Sequence, residues 1–274
     1  MAKLDRLGWA DGISFTAYGV RVGVRVNNKE ILKALMARFP PGFKPSSGRT
    51  TNHLYSMTGF ANKSNGRVTR LNLGYWNLTR FVRTRNFEDL LEQFESHLQL
   101  TVAEYAPRRV FVHAGVVGWN GKAILIPGTS FSGKSTLVAQ LLRAGATYYS
   151  DEYAVIDASG RVHPYARDLR MRAPDAVHMN RMRAEEFSAH TGSKPLPVAL
   201  VISTSFKEGA RWRPRELTTG KAVLELLANT VSARSQPEMA LSFLSKTVSS
   251  ARALKGARGA AQEVADSILK LASE

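Results

Sequence analysis

Cysteine is missing from all 274 residues of the chain. A disulfide scaffold, a cysteine-ligated zinc site and thiol catalysis are therefore excluded together, and the composition suits a reducing compartment. Long apolar runs are missing as well. The longest, such as Pro197–Ile202, fall far short of the ~20 residues that cross a bilayer. The opening MAKLDRLGWADGISF carries no apolar stretch of the signal-peptide kind. The expectation is a soluble cytoplasmic protein with no membrane span. Acidic residues are scarce: 22 Asp and Glu stand against 38 Lys and Arg, a net charge of +16. Such a field favours acidic partners, whether nucleic acid, an anionic membrane, a nucleotide or an acidic protein or peptide.

What remains is ordinary globular material. Hydrophobic residues make up 44% and charged residues 22%, which argues against wholesale disorder. Residues 1–105 read as a β-rich N-terminal lobe. Ser14–Tyr18 and Val20–Val26 alternate as strands around Gly19, and Asn27-Asn28 turns the chain into an amphipathic helix over Glu30–Phe39 that Pro40-Pro41 ends. Ser46–Thr51 reads as a loop, and Val68–Leu73 and Leu78–Thr84 as strands. Asn86 caps a long helix to Tyr105, with Glu88 and Asp89 favourable in its first turn.

Residues 106–274 read as an α/β unit. Val110–Val117 is a strand, Asn120-Gly121 a tight hairpin turn and Ala123–Ile126 the returning strand. A helix over Lys134–Ala144 stops at Gly145. Tyr148–Asp157 reads as one strand, turned by Ala158-Ser159-Gly160 into Arg161–Tyr165. Pro197–Ser203 is a buried strand, and Lys221–Asn229, Glu238–Leu254 and Ala260–Ala272 read as closing helices.

The chemistry concentrates between the hairpin and the first helix of this unit. Gly128-Thr129-Ser130-Phe131-Ser132-Gly133-Lys134-Ser135-Thr136 fits the P-loop pattern G-x-x-x-x-G-K-[ST]. Glycines let the loop curl so that successive amides face a phosphate, and the following helix adds the positive end of its dipole. Lys134 reaches the β- and γ-phosphates in such a loop, and the Ser135 hydroxyl can ligand magnesium. A strand before and an amphipathic helix after supply the expected context.

Ser150-Asp151-Glu152 follows on the next strand. A carboxylate there can hold magnesium through water, or take a proton from an attacking hydroxyl. Asp151 comes only 17 residues after Lys134 (151 − 134), much sooner than the acidic strand of most P-loop nucleotidases. A Leu-Ser-Gly-Gly-Gln signature and an Asn-Lys-x-Asp motif are also missing, which weakens transport-ATPase and GTPase readings. His113, in Val112-His113-Ala114-Gly115-Val116-Val117, is placed by the hairpin near the same loop. Taken alone, a histidine in an apolar strand is more often structural.

Together, His113-Ala114-Gly115-Val116, the loop Gly128–Ser135 and the pair Asp151-Glu152 resemble the catalytic domain of bacterial HPr serine kinases/phosphorylases. The resemblance covers Val112–Asp157. It implies an α/β fold with the P-loop placed as in phosphoenolpyruvate carboxykinases, and ATP and Mg²⁺ as cofactors. It implies that Asp151 is the general base toward a serine hydroxyl, that Glu152 assists the metal site with Ser135, and that His113 supports the geometry of Asp151 and the phosphates. The family's Glu-Ile-Arg-Gly-Leu-Gly stretch, linked to the reverse phosphorolysis, has no good counterpart; the nearest segment is Ala166–Ala173. In this the chain looks more like the HPr kinase-related proteins of peptide-modification systems, whose partners include small peptide carriers.

Residues 161–183 add six arginines, among them Arg170 and Arg172, against Asp168 and Asp175. Arginine suits bidentate contacts to phosphate or carboxylate, so Arg170 and Arg172 are candidates to meet the transferred phosphoryl or an acidic substrate. Arg211, Arg213 and Arg215 cluster around Trp212. The leading expectation is an ATP- and magnesium-dependent kinase for a Ser or Thr hydroxyl of a protein or peptide. Two alternatives stand beside it: a small-molecule kinase on the same scaffold, and a nucleotide-dependent nucleic-acid-binding NTPase.

Overall fold

The structure is a computed structural model that describes residues 2–48, 50–59, 62–64, 67–69, 71–129, 132–172 and 179–274. It is mixed α/β and divides into two compact units, Met1–Pro107 and Arg108–Glu274.

The first unit runs α1 (Ala2–Asp5), β1 (Asp11–Ala17), β2 (Val20–Val26), α2 (Lys29–Met36), β3 (Lys44–Pro45), β4 (His53–Thr58), β5 (Asn62–Ser64), β6 (Arg67–Thr69), β7 (Asn72–Trp76), β8 (Thr79–Thr84) and α3 (Phe87–Tyr105). Its main sheet has the order β3-β1-β2-β4-β7-β8. Helices α2 and α3 start where asparagine supplies a cap: Asn28 accepts from the Glu30 amide and Asn86 from the Glu88 amide, each at 2.9 Å. Their apolar sides bury Ile31, Leu35, Leu90, Phe94 and Leu98 together with Phe15, Val22 and Tyr55 from the sheet. β4 was not foreseen from the sequence. Val68–Leu73, expected as one strand, is split between β6 and β7.

The second unit runs β9 (Val110–Trp119), β10 (Lys122–Pro127), α4 (Lys134–Arg143), β11 (Thr147–Ser150), β12 (Tyr153–Ile156), β13 (Val162–His163), β14 (Leu169–Arg172), β15 (Met179–Met182), β16 (Val198–Phe206), β17 (Arg215–Glu216), α5 (Thr219–Leu227), α6 (Pro237–Val248), β18 (Arg252–Arg258) and α7 (Ala261–Leu271). Its sheet has the order β13-β12-β9-β10-β16-β18-β17, with β11 also paired to β9. The Asn120-Gly121 hairpin forms with both residues at positive φ, 48° and 73°, the geometry that matches strand twist. β10, β16 and β18 are mutually parallel, while β9 is antiparallel to β10.

Apolar layers cover both faces of this sheet. One holds Ile124, Ile126, Leu137, Leu141, Val264 and Ile268; the other holds Leu125, Val112, Val201, Leu226 and Leu244. Two expectations for this unit are corrected. The stretch expected as one helix to Leu254 ends at Val248, and Arg252–Arg258 is a strand. Its Ala, Leu, Lys and Arg residues favour helix locally, but burial beside β16 overrides a propensity worth only tenths of a kcal/mol per residue. The stretch expected as one strand from Tyr148 is two strands, broken at Asp151-Glu152.

Gly160 closes the turn between β12 and β13 at φ 79°. A Cβ there would lie 2.8 Å from the Lys246 carbonyl carbon and the Thr247 nitrogen of α6. Both the backbone strain and the contact with rigid helix oppose a side chain, at about 1–3 kcal/mol for strain alone. Gly121, with a similar φ of 73°, has no atom within 4 Å. Chemical denaturation of Gly160→Ala is expected to show a lower midpoint than wild type, and a larger loss than Gly121→Ala shows.

Candidate functional site

β9 sets the site's geometry. Along one edge it pairs with β10 so that Ala114 lies opposite Pro127, and the Gly128 amide donates to the His113 carbonyl at 3.2 Å. Along the other edge His113 pairs with Tyr153 of β12 and Val116 with Ser150 of β11. Between those two pairings the chain bends at Asp151-Glu152, and the Ala114 amide donates to the Glu152 carbonyl at 3.2 Å. The Gly-rich turn and the acidic bend thus leave the sheet at the same level of one strand. Gly115 lets the next layer close over them: a Cβ on it would sit 2.6 Å from Val138 Cγ2 of α4.

The turn ends at Gly133, left-handed at φ 85°, directly before Lys134 opens α4. Among the described residues no side chain caps that helix start, a position whose first amides suit an anion. Lys134 is buried, 7% exposed. Its Nζ donates to the Gly128 and Thr129 carbonyls at 2.7 and 2.8 Å, and among the described residues it has no carboxylate ion-pair partner. Burial lowers its pKa, opposed by the charges of Glu152 and Asp151. Ser132 Oγ is buried with no hydrogen-bond partner among the described residues. A buried lysine bonded only to carbonyls and an unsatisfied hydroxyl, both among the described residues, fit a phosphate group. Thr136 is exposed on the first turn of α4. Ser130 and Phe131 lie outside the described residues.

Ser135 reaches the acidic bend: its Oγ donates to Asp151 Oδ2 at 3.2 Å. The same oxygen accepts from the Arg170 amide at 3.2 Å. Tyr148 Oη lies 3.1 Å from Asp151 Oδ1 and 2.7 Å from the Arg167 carbonyl. One hydroxyl proton cannot serve both; given to the nearer carbonyl, it leaves the tyrosine oxygen to accept from a protonated Asp151. Burial, seconded by the charge of Glu152, raises the Asp151 pKa to about 6 against the bonds from Arg170, Tyr148 and Ser135.

Glu152 behaves oppositely. Burial would raise its pKa, but the hydrogen bond and charge of His113 and the charges of Arg170 and Lys134 bring it below the usual value. His113 Nε2 lies 3.4 Å from Glu152 Oε1, so the histidine faces Glu152, not Asp151. Arg170 is brought to the bend by β14, and the Arg172 side chain lies outside the described residues. Among the described residues no group of three His, Cys, Asp or Glu could hold a metal by itself. A magnesium ion carried by phosphates and completed by water needs fewer protein ligands, and Ser135 and Glu152 suit that role.

One residue escaped the sequence reading. Arg258, at the end of β18, is 2% exposed. Its Nη2 donates to the Gly133 carbonyl at 2.9 Å and its Nη1 to the Gly259 carbonyl at 3.0 Å, while Nε has no partner. Among the described residues it forms no ion pair, and burial lowers its pKa. A buried cation bonded only to carbonyls beside the turn is a second group with charge left for an anion. Its signal was hidden because Glu238–Leu254 reads as helix, which leaves Arg258 in the connection to the next one.

No family model matches the chain, and no curated protein matches it. Among solved structures it is similar to the Hpr(Ser) kinase/phosphatase from Coxiella burnetii, at 17% identity over 60% of this chain and 93% of that one, with a TM-score of 0.34. No helix among the described residues is long and apolar enough to cross a membrane.

The raised pKa of Asp151 has a stability consequence of definite sign. Between about pH 4 and 6 the folded state holds a proton that the unfolded state has released, so this residue's contribution falls as pH rises through that window. Asn in its place can donate to the Tyr148 oxygen and carries no charge. The melting temperature of Asp151→Asn, measured relative to wild type, is expected to climb from pH 4 to pH 6 and level off above. A difference flat in pH would mean that Asp151 ionises normally.

Proposed function

We propose that the 108–274 unit is an ATP- and magnesium-dependent kinase that moves the γ-phosphoryl group to a Ser or Thr hydroxyl of a protein or peptide. One observation carries this reading. A single hydrogen bond, Ser135 Oγ to Asp151 Oδ2, joins an anion-receiving turn to a carboxyl group whose ionisation is delayed to about pH 6. A carboxylate with that pKa is ionised at neutral pH yet basic enough to accept a proton as bond formation proceeds.

In this reading Gly128–Thr136 cradles the phosphates, and Lys134 exchanges its carbonyl contacts for β- and γ-phosphate oxygens. Magnesium, when bound, neutralises those oxygens, with Ser135 and Glu152 as the residues to hold it; the low pKa of Glu152 keeps it ionised for that purpose. Asp151 removes the acceptor hydroxyl's proton as its oxygen bonds to the γ-phosphorus and the bond to the β–γ bridging oxygen breaks, releasing ADP. His113 holds Glu152 in place. Arg170 and Arg172 meet the charge of the transferred group or of the acceptor. The net charge of +16 favours an acidic acceptor, such as a small peptide carrier.

Radiolabel transfer from γ-labelled ATP to a panel of acidic peptides and small carrier proteins tests the assignment. Lys134→Ala is expected to abolish transfer. Asp151→Asn should keep ATP binding and lower transfer by roughly 10²–10⁴-fold, as loss of a general base does, with Glu152→Gln less severe. The double variant Arg170→Ala, Arg172→Ala should lower turnover more than ATP affinity. ATP hydrolysis stimulated by DNA or RNA, with Glu152→Gln the more damaging carboxylate change, would instead mark a nucleic-acid-dependent NTPase.

The wild-type kcat/KM should also rise with pH through about 6, the value at which Asp151 ionises. A rate profile measured from pH 5 to 8 checks this. No inflection near 6 would remove Asp151 from the base role.

A further inference from the structure

The Gly-rich turn has a second flank. The acidic bend lies on the β9 side, where strands are antiparallel. On the other side β10, β16 and β18 run parallel, so the segments that follow them leave the sheet at one edge. Ligands of α/β sheets bind in crevices at the carboxyl ends of such strands. In register, Leu125 is level with Val201, which puts Pro127 level with Ser203. β16 then continues three residues further, to Phe206, and β18 to its partner Arg258. Both strands thus extend alongside the turn instead of stopping beneath it.

A groove of about 660 Å³ opens there, walled by Phe206, Arg211 and Trp212 from the segment after β16 and by Gly259 and Glu263 at the start of α7, with Glu208 also on its lining. That is a volume typical of small-molecule sites. Phe206 is 58% exposed among the described residues. The groove touches the turn directly: a Cβ on Gly133 would lie 3.8 Å from Phe206 Cβ and 2.7 Å from Arg258 Nη2. Gly259, which follows Arg258, lets the Ala210 backbone approach closely at the groove; a Cβ on it would meet the Ala210 carbonyl at 2.8 Å and Glu263 Oε2 at 3.1 Å. No side chain caps the start of α7.

We propose that this groove receives the purine base of a nucleoside triphosphate whose phosphates lie in the Gly128–Thr136 turn. The inference rests on the phosphate-binding reading of that turn and adds where the rest of the nucleotide goes. Phe206 and Trp212 offer π-faces for the flat base. Glu208 and Glu263 accept from the exocyclic amino group that adenine carries and a pyrophosphate lacks. Arg258, lying between groove and turn and bonded only to carbonyls, is placed for the first phosphates after the ribose. The nucleotide then lies across the ends of β18, β16 and β10, with its terminal phosphate on the Asp151 side.

The test compares Mg-ATP with Mg-tripolyphosphate, which has the phosphates but no base, by calorimetry on the full chain. Wild type should bind ATP more tightly than tripolyphosphate. Phe206→Ala should weaken ATP by roughly 5- to 100-fold, the range that loss of a base-stacking ring produces, and leave tripolyphosphate within about two-fold. Phe206 is exposed and Glu263 lies on the surface, so Phe206→Ala and Glu263→Gln should fold as wild type does; Glu263→Gln supplies the second, independent reading. A loss confined to ATP in either variant supports the groove. If wild type binds ATP and tripolyphosphate equally, or if both variants keep wild-type ATP affinity, the base lies elsewhere and this proposal fails while the phosphate reading stands. If wild type binds neither ligand, the phosphate reading fails and the groove assignment falls with it.

Discussion

The register of β9 is the constraint on which the second unit depends. A β-strand has two hydrogen-bonding edges, and here both are spoken for over the same three residues. At His113–Gly115 one edge releases the chain into the Gly-rich turn, and the other faces the gap between β11 and β12. Because side-chain direction alternates with a period of two, slipping either pairing by one residue would move every core side chain of that strand into the apolar layer on the opposite face. The apolar layers on both faces of the sheet therefore hold the turn and the bend at one level. The geometry of this site is here a by-product of core packing, which keeps the two loops from drifting apart.

That placement creates a conflict that two adjacent carboxyl groups resolve differently. Asp151 and Glu152 share a bend and repel each other. Asp151 goes inward, where its partners are two hydroxyls and an amide; such neutral donors do not offset burial plus a neighbouring charge, so its ionisation is delayed. Glu152 remains nearer solvent and meets His113, Arg170 and Lys134, whose charges more than offset its own burial. Surroundings that push two pKa values apart let one site hold a late-ionising carboxyl group and a lasting anion side by side. The break in the strand makes this separation achievable. Had Tyr148–Asp157 continued as one strand, the two side chains would have pointed to opposite faces of the sheet, one of them into the apolar layer.

Much of this architecture is legible in the sequence where one residue type answers one local requirement. Asn120-Gly121 marks its hairpin because both positions need positive φ, and Asn28 and Asn86 mark helix starts because their side chains replace a missing amide acceptor. Gly133-Lys134-Ser135 marks the turn by the same logic. Legibility fails where the deciding force is distant. Arg252-Ala253-Leu254-Lys255-Gly256-Ala257-Arg258 has no strand alternation and good helix formers, and becomes a strand only because β16 presents an open parallel edge. Missing that strand hides Arg258, since a cation at a strand end beside the turn looks, in sequence, like one more arginine in the connection between two helices. The split of β11 from β12 is equally invisible: nothing in Tyr148–Asp157 breaks a strand, and the bend arises from the bulged pairing to β9 on which Tyr148 and Ser150 oppose adjacent residues, Val117 and Val116.

Arg258 also explains the left-handed glycine beside it. Gly133 needs no side chain to reach φ 85°, and its free side is where the guanidinium lies, 2.7 Å from the position a Cβ would take. The Gly133 carbonyl in turn holds Nη2. Each therefore requires the other: a side chain at 133 would expel the arginine, and a shorter residue at 258 would leave that carbonyl without its donor. An unpaired buried guanidinium is costly, because removing a charge from water is not recovered by carbonyl dipoles alone. The cost falls beside the start of α4, where Lys134 also lies. Lys134 already senses the charges of Glu152 and Asp151, whereas Arg258 bonds only carbonyls among the described residues, so an anion seated at the turn would above all offset the desolvation of the arginine.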